Sequence, residues 1–198
     1  MNKLTIGSIN CNKAINDKRH QIELALEVEN IDILCLQEIG NLNRETLFGF
    51  NKNYLVHISE YDYPTLKSGN AILVSRKINC KIERIPSTGE FIFITIKAEN
   101  TTIALCNAYY TNHTRREWKP DEFGKHIIEE MNKTKCKTRI IVGDLNAYGK
   151  NTERKKRNRN KELLNELGGS FIDTHLYNNQ NDKDITTHET RYKRTEQT

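Results

Sequence analysis

Residues 91–110 read FIFITIKAENTTIALCNAYY. Two β-rich runs flank the polar segment Glu99-Asn-Thr-Thr102, a pattern that predicts a hairpin with strands at 91–96 and 102–109. Outward from this hairpin, short apolar runs of the same kind recur at 4–9, 33–36, 54–58, 71–75 and 139–142, with a further short one at 171–174. Helical periodicity is rarer. Residues 19–29 carry Ile22, Ala25 and Leu26 on one face, and 121–132 carry Phe123, Ile127 and Met131 at i, i+4, i+8. Pro120, Asp121 and Glu122 suit the first turn of the second helix. A third, at 160–167, stops at Gly168-Gly169. A helix between the first two strands fits a crossover, whereas the middle strands fit hairpins. Many strands with a few marginal helices predict an α+β or layered α/β sandwich.

With 198 residues, one domain spanning 1–198 is the default, and it is large enough to bury a core without staples. The composition, 36% hydrophobic and 29% charged, is that of a soluble globular protein. No stretch approaches the ~20 apolar residues of a membrane span, and the N-terminus lacks the apolar core of a signal peptide. Cys11, Cys35, Cys80, Cys106 and Cys136 are odd in number and contain no CxxC pair. They read as reduced core residues of an intracellular protein, nuclear or cytoplasmic, which excludes a disulfide scaffold and a zinc finger. Net charge is +5, a mild bias toward polyanionic partners. No feature points to a membrane or to oligomerisation.

Three polar clusters follow strands directly: Asn10-Cys11-Asn12, Gln37-Glu38 and Gly143-Asp144-Leu145-Asn146. Strands that deliver an acid or amide at their C-terminal ends, three times over, predict convergence on one rim. The chain has no glycine-rich phosphate loop and no HExxH. Carboxylate and amide oxygens are hard ligands suited to Mg²⁺ or Mn²⁺. A metal held by one acid, with a second acid facing a water, is what phosphodiester hydrolysis requires. Amide and phenol donors can stabilise the charge that builds on phosphoryl oxygens.

Asn10-x-Asn12, Leu36-Gln37-Glu38, Gly69-Asn-Ala-Ile-Leu-Val74, Asn107-Ala-Tyr109 and Gly143-Asp144-Leu-Asn146 together resemble the endonuclease/exonuclease/phosphatase superfamily, nearest its apurinic endonuclease and LINE-type retrotransposon endonuclease branch. The match runs from residue 3 to about 175. The resemblance implies a four-layer α/β sandwich of two packed mixed sheets flanked by helices. It implies Glu38 as the principal metal ligand, with Asn12 near the metal. It implies Asn10 as an amide that contacts phosphate or positions a metal ligand, and Tyr109 as a hydrogen-bond donor to the scissile phosphate. Asp144 corresponds to the acid that activates water and Asn146 to the amide that supports it; the cofactor is Mg²⁺ or Mn²⁺.

Lys13 and Thr111 depart from the family's usual Gly and Pro without removing a functional group. The family's closing Ser-Arg-Ile-Asp-like and Ser-Asp-His-like blocks have no counterpart. His175 and His188 are not preceded by Ser-Asp. The expectation is therefore a domain incomplete at its C-terminus and missing its final strands. Glu153–Lys161 packs six cations into nine residues, and Arg154, Lys155, Lys156, Arg157 and Arg159 are candidate nucleic-acid contacts. The leading function is metal-dependent phosphodiester hydrolysis, by a DNA endonuclease domain of retroelement type. The alternatives are a phosphatase or phosphodiesterase on a small molecule or lipid, and a catalytically dead fragment that keeps a nucleic-acid-binding surface.

Overall fold

The computed structural model describes residues 4–12, 15–40, 47, 49–59, 69–85, 90–98, 101–110, 119–147 and 161–171. The element order is β1 (Ile6–Asn10), α1 (Ile15–Val28), β2 (Ile33–Gln37), a 3₁₀ turn (Gly49–Lys52), β3 (Tyr54–Ile58), β4 (Ala71–Ser75), β5 (Lys81–Ile85), β6 (Phe91–Ala98), β7 (Thr101–Tyr109), α2 (Pro120–Lys133), β8 (Thr138–Asp144) and α3 (Lys161–Gly168). The expected hairpin is β6–β7, antiparallel from Phe91↔Ala108 to Ala98↔Thr101. The strand expected at 171–174 lies outside the described residues beyond Phe171. Strand β5 and the 3₁₀ turn are additions to the elements read from sequence.

The strands form two sheets, ordered β1-β2-β4-β3 and β5-β6-β7-β8. Each sheet holds one parallel pair built on a helical crossover: β1 with β2 across α1, and β7 with β8 across α2. All other neighbours are antiparallel. Alternating side chains on each strand divide the core into three layers. Ile33, Cys35, Ile72 and Val74 of the first sheet meet Ile92, Ile94, Ile96 and Leu105 of the second in the central layer. The outer face of the first sheet, through Leu34, Leu36 and Leu73, packs on Ile15, Ile22 and Leu26 of α1. The outer face of the second, through Phe91, Phe93, Ala104 and Cys106, packs on Phe123, Ile127 and Met131 of α2 and Leu163 and Leu167 of α3. The result is the four-layer sandwich implied by the resemblance.

Because β2 and β4 are covered on both sides, every residue of each is buried, which explains their unbroken apolar runs. Helix α2 starts where the sequence suggests: Pro120 occupies its first turn, and the Glu122 carboxylate accepts from the Lys119 backbone N–H at 3.1 Å. Helix α1, which ends at Val28, is closed by Asn30, which takes the left-handed φ of 47° while the Ile31 N–H returns to the Leu26 carbonyl at 3.2 Å. All five cysteines are free thiols. Among the described residues no helix is long and apolar enough to cross a membrane.

Candidate active site

Both parallel pairs point their carboxyl ends at the same rim. In β1–β2, Asn10 lies in register with Gln37, one residue before Glu38. In β7–β8, Tyr109 lies in register with Asp144. On β8 the inward series is Ile140, Val142, Asp144, so the carboxylate emerges where the central apolar layer ends. On β7 the corresponding series is Ile103, Leu105, Asn107, Tyr109, which puts Tyr109 beside Asp144 on that face, 7% exposed.

Asn10 joins the two sheets at this rim. Its Nδ2 donates to Glu38 Oε1 at 3.0 Å and to Asp144 Oδ2 at 2.8 Å. One amide thus holds the two carboxylates that the sequence assigns to different tasks. Its Oδ1 accepts from the Asn12 backbone N–H at 2.7 Å, an Asx turn that shapes the loop after β1. Asn12 is exposed at the mouth. Asp144 Oδ1 accepts from the Asn146 backbone N–H at 3.0 Å. The Asn146 side chain turns instead to the Tyr110 carbonyl, also at 3.0 Å, so its support of Asp144 passes through its main chain. Tyr110 N–H in turn donates to the Asp144 carbonyl at 3.0 Å. Asn10, Asn12, Glu38, Tyr109, Asp144 and Asn146 therefore share one rim. Arg154, Lys155, Lys156, Arg157 and Arg159, like His175 and His188, lie outside the described residues.

The backbone of this rim is unusual. Asn12, Glu38 and Asn146 adopt φ of 48°, 47° and 47°, the left-handed region that non-glycine residues seldom occupy. Such conformations gather at functional sites, where surrounding structure holds them in place. Gly143, at φ 142°, passes so close to β7 that a Cβ there would collide with the Ala108 carbonyl. Only glycine lets β8 approach β7 this tightly one residue before Asp144.

The donor set fits a hard divalent cation. Glu38 is half-buried and accepts from Asn10 through Oε1, and the nearby oxygens are carboxylate and amide. The one thiol in the loop, Cys11, is fully buried; burial pushes its pKa up to about 11, against a lowering by Lys18, with Glu38 raising it further. It stays protonated at neutral pH. Among the described residues no three of His, Cys, Asp and Glu converge in a cage. A cation here would rely on one or two carboxylates, amide oxygens and water, which is coordination Mg²⁺ accepts.

Two features escape the sequence reading. Lys18, on the first turn of α1, donates from Nζ to the Asn10 carbonyl at 3.3 Å. Nothing in its local sequence marks it, because only the crossover brings α1 to the rim. The second is the pairing of two amides that the quoted motifs already contain, Gln37 and Asn107, both fully buried, whose Nε2–Oδ1 distance is 2.7 Å. Here a signal existed: Asn107 interrupts an otherwise apolar inward series on β7.

Two four-stranded sheets, each ending a parallel pair at one rim that carries a glutamate, an aspartate and a bridging asparagine, make a four-layer sandwich with a polar cluster at one edge. The chain belongs to the endonuclease/exonuclease/phosphatase family, whose model matches residues 7–194. Among solved structures it is similar to an AP endonuclease from Archaeoglobus fulgidus, with 19% identity, a TM-score of 0.67, and coverage of 96% of this chain and 80% of that one. It is also similar to the endonuclease domain of TRAS1, a telomere-specific non-LTR retrotransposon (17% identity, TM-score 0.61, 82% and 70% covered). TDP2 of D. rerio, solved with a single-strand DNA product, matches at 12% identity and a TM-score of 0.56, with 83% and 64% covered. The chain spans about half the length of TDP2 from C. elegans, 48%. No curated protein matches the chain by sequence.

Proposed function

We propose that this protein is a divalent-metal-dependent endonuclease that hydrolyses DNA phosphodiesters at the Asn10–Glu38–Asp144 rim. The observation that carries the reading is the Asn10 amide, bonded at once to Glu38 of one sheet and Asp144 of the other. Asp144 has a donor on each oxygen, Asn10 Nδ2 and Asn146 N, which orients the carboxylate. It acts as the general base that aligns and deprotonates the attacking water. Tyr109 donates from its phenol to a phosphoryl oxygen as charge builds there. Mg²⁺ or Mn²⁺ held by Glu38, with Asn12 beside it, would neutralise charge on the phosphoryl and leaving oxygens. Lys18 adds a positive charge at the base of the same loop. A polyanionic substrate agrees with the net charge of +5 and with the cation-rich run at 153–161.

Nicking of supercoiled plasmid with and without Mg²⁺ tests the proposal, with inositol phosphates and phospholipid vesicles as competing substrates. Asp144→Ala should lower the nicking rate by about 10²–10⁴-fold, the range for loss of a general base. Glu38→Gln should weaken Mn²⁺ binding, followed by proton relaxation, whether or not turnover occurs. Preferential turnover of the small phosphates would move the assignment to the phosphatase side of the family. DNA binding without any Asp144-dependent nicking would leave a binding surface only.

A further inference from the structure

We infer that Gln37 and Asn107 form a positioning clasp that sets the gap between the two sheets at the rim, and hence the separation of Glu38 from Asp144; the inference rests on the reading of that rim as the active site. The clasp lies between the sheets, and Asn107 and Gln37 are 0% and 1% exposed. Asn107, on β7, spends both amide hydrogens on the opposite sheet: its Nδ2 donates to the Leu36 carbonyl and to the Ala71 carbonyl, each at 2.9 Å. Leu36 and Ala71 are the last paired rung of β2 and β4. Gln37 answers from the first sheet, with Nε2 on Asn107 Oδ1 at 2.7 Å, Ser8 Oγ at 3.1 Å and the Cys35 carbonyl at 3.3 Å. The Gln37 carbonyl accepts from Cys11 N–H at 2.7 Å, which ties the loop carrying Asn10 to the same point.

Four strands, β1, β2, β4 and β7, are thereby bonded together immediately inboard of the rim. Glu38 is the next residue after Gln37. Tyr109 is two residues beyond Asn107, and Asp144 two beyond Val142, the register partner of Asn107. Two strand residues span only about 6.6 Å. Apolar packing alone lets sheets slide, since it has no directional preference, whereas hydrogen bonds weaken steeply with distance and angle. The Asn10 bridge needs both its gaps, 3.0 Å and 2.8 Å, at the same time. A shift of one sheet by about 1 Å would open one of them, and misplacement on that scale costs catalysis about 10²-fold.

The test is Gln37→Met, which keeps length and volume but removes the bond to Asn107. The readouts are the Asn10 side-chain amide resonances in ¹H–¹⁵N spectra, and kcat and KM for Mg²⁺-dependent nicking. The expected result is a folded protein whose Asn10 resonances shift or broaden, with kcat lowered by about 10²-fold and KM for DNA unchanged. If Gln37→Met does not fold, Ser8→Ala removes a Gln37 partner while leaving the Asn107 bonds, and should move the same resonances by less. Unmoved Asn10 resonances with wild-type kcat in a folded variant would overturn the clasp. Should the wild-type protein fail to nick, the endonuclease reading falls while the resonances still decide the clasp.

Discussion

Glu38 combines the two properties that most often conflict at one residue. Its φ of 47° suits glycine, yet the proposed chemistry needs its carboxylate. A left-handed conformation costs a residue with a Cβ roughly 1–2 kcal/mol, and the bond from Asn10 to the carboxylate returns about 1.5–3 kcal/mol. Glu38→Gly removes both terms, so its urea midpoint should stay close to wild type, within about 1 kcal/mol, while Mg²⁺-dependent nicking is lost. A large drop in stability would show that the residue serves the fold first. The buried thiols give a second residue-scale expectation. Burial raises Cys35 from 9.0 to about 12 and Cys11 to about 11, and it raises Cys106 well above 9.0 as well. Between pH 9 and about 12 the unfolded chain loses thiol protons that the folded chain retains, so ν_U falls below ν_N and stability declines as pH rises. Below pH 9 the thiols contribute no slope. Urea midpoints at pH 8, 9, 10 and 11 should therefore fall above pH 9, and less steeply in Cys35→Ala; identical slopes would exclude the thiol as a cause.

At the scale of elements, burial decided what could be read. Strands β2, β4, β6 and β7 are covered on both faces or form the hairpin, so their sequences are apolar enough to announce themselves. Strand β5, an edge, was illegible because charges interrupt its apolar run: Lys81 and Glu83 face water, and Lys97 on β6 pairs with Glu83 at 2.7 Å. Lys97, then Lys81, holds the Glu83 carboxyl below its usual range, and charges of this kind protect an exposed edge from pairing with another chain. The site was half legible for a related reason. Asn10, Glu38 and Asp144 stand out because each ends an apolar strand. That Asn10 bridges the other two, and that Lys18 arrives beside it, depends on how two sheets stack, which no local pattern encodes. The contact between α2 and α3 shows the same long-range dependence. A Cβ on Gly124 would stand 3.1 Å from Glu166 Cβ and from Leu163 Cδ1, so this glycine sets how closely the helices approach. Gly124→Ala gains helix propensity of about 1 kcal/mol against a slight crowding and should be near neutral. Gly124→Val should destabilise by about 1–3 kcal/mol through overpacking. Chemical denaturation of the two variants checks the contrast, and equal effects would mean that α3 adjusts freely.

On the scale of the whole molecule, the rim and the charge distribution have to meet on one substrate. The run at 153–161 begins nine residues after Asp144. Arg154 is ten residues from the carboxylate, and a chain of that length cannot reach more than about 35 Å. That reach would allow Arg154 to meet phosphates flanking a strand held at the rim. If they engage duplex DNA, binding releases condensed counterions, and log K falls with log salt at about 0.9 per phosphate neutralised. Replacing Arg154, Lys155, Lys156 and Arg157 together by Gln removes up to four such contacts and should reduce the slope by about 3–4 units. Fluorescence anisotropy on a random-sequence duplex, titrated across low to moderate salt, measures this directly. Asp144→Ala is the internal comparison, because loss of the proposed base should abolish nicking while leaving the slope intact. The quadruple variant should do the converse: binding weakens, KM rises, and kcat at saturating DNA is maintained, since none of the four residues belongs to the Asn10–Glu38–Asp144 rim. A slope unaltered by the four replacements would assign the run to solvent and leave the DNA contacts to other cations, of which Lys18 is one that the structure places beside Asn10.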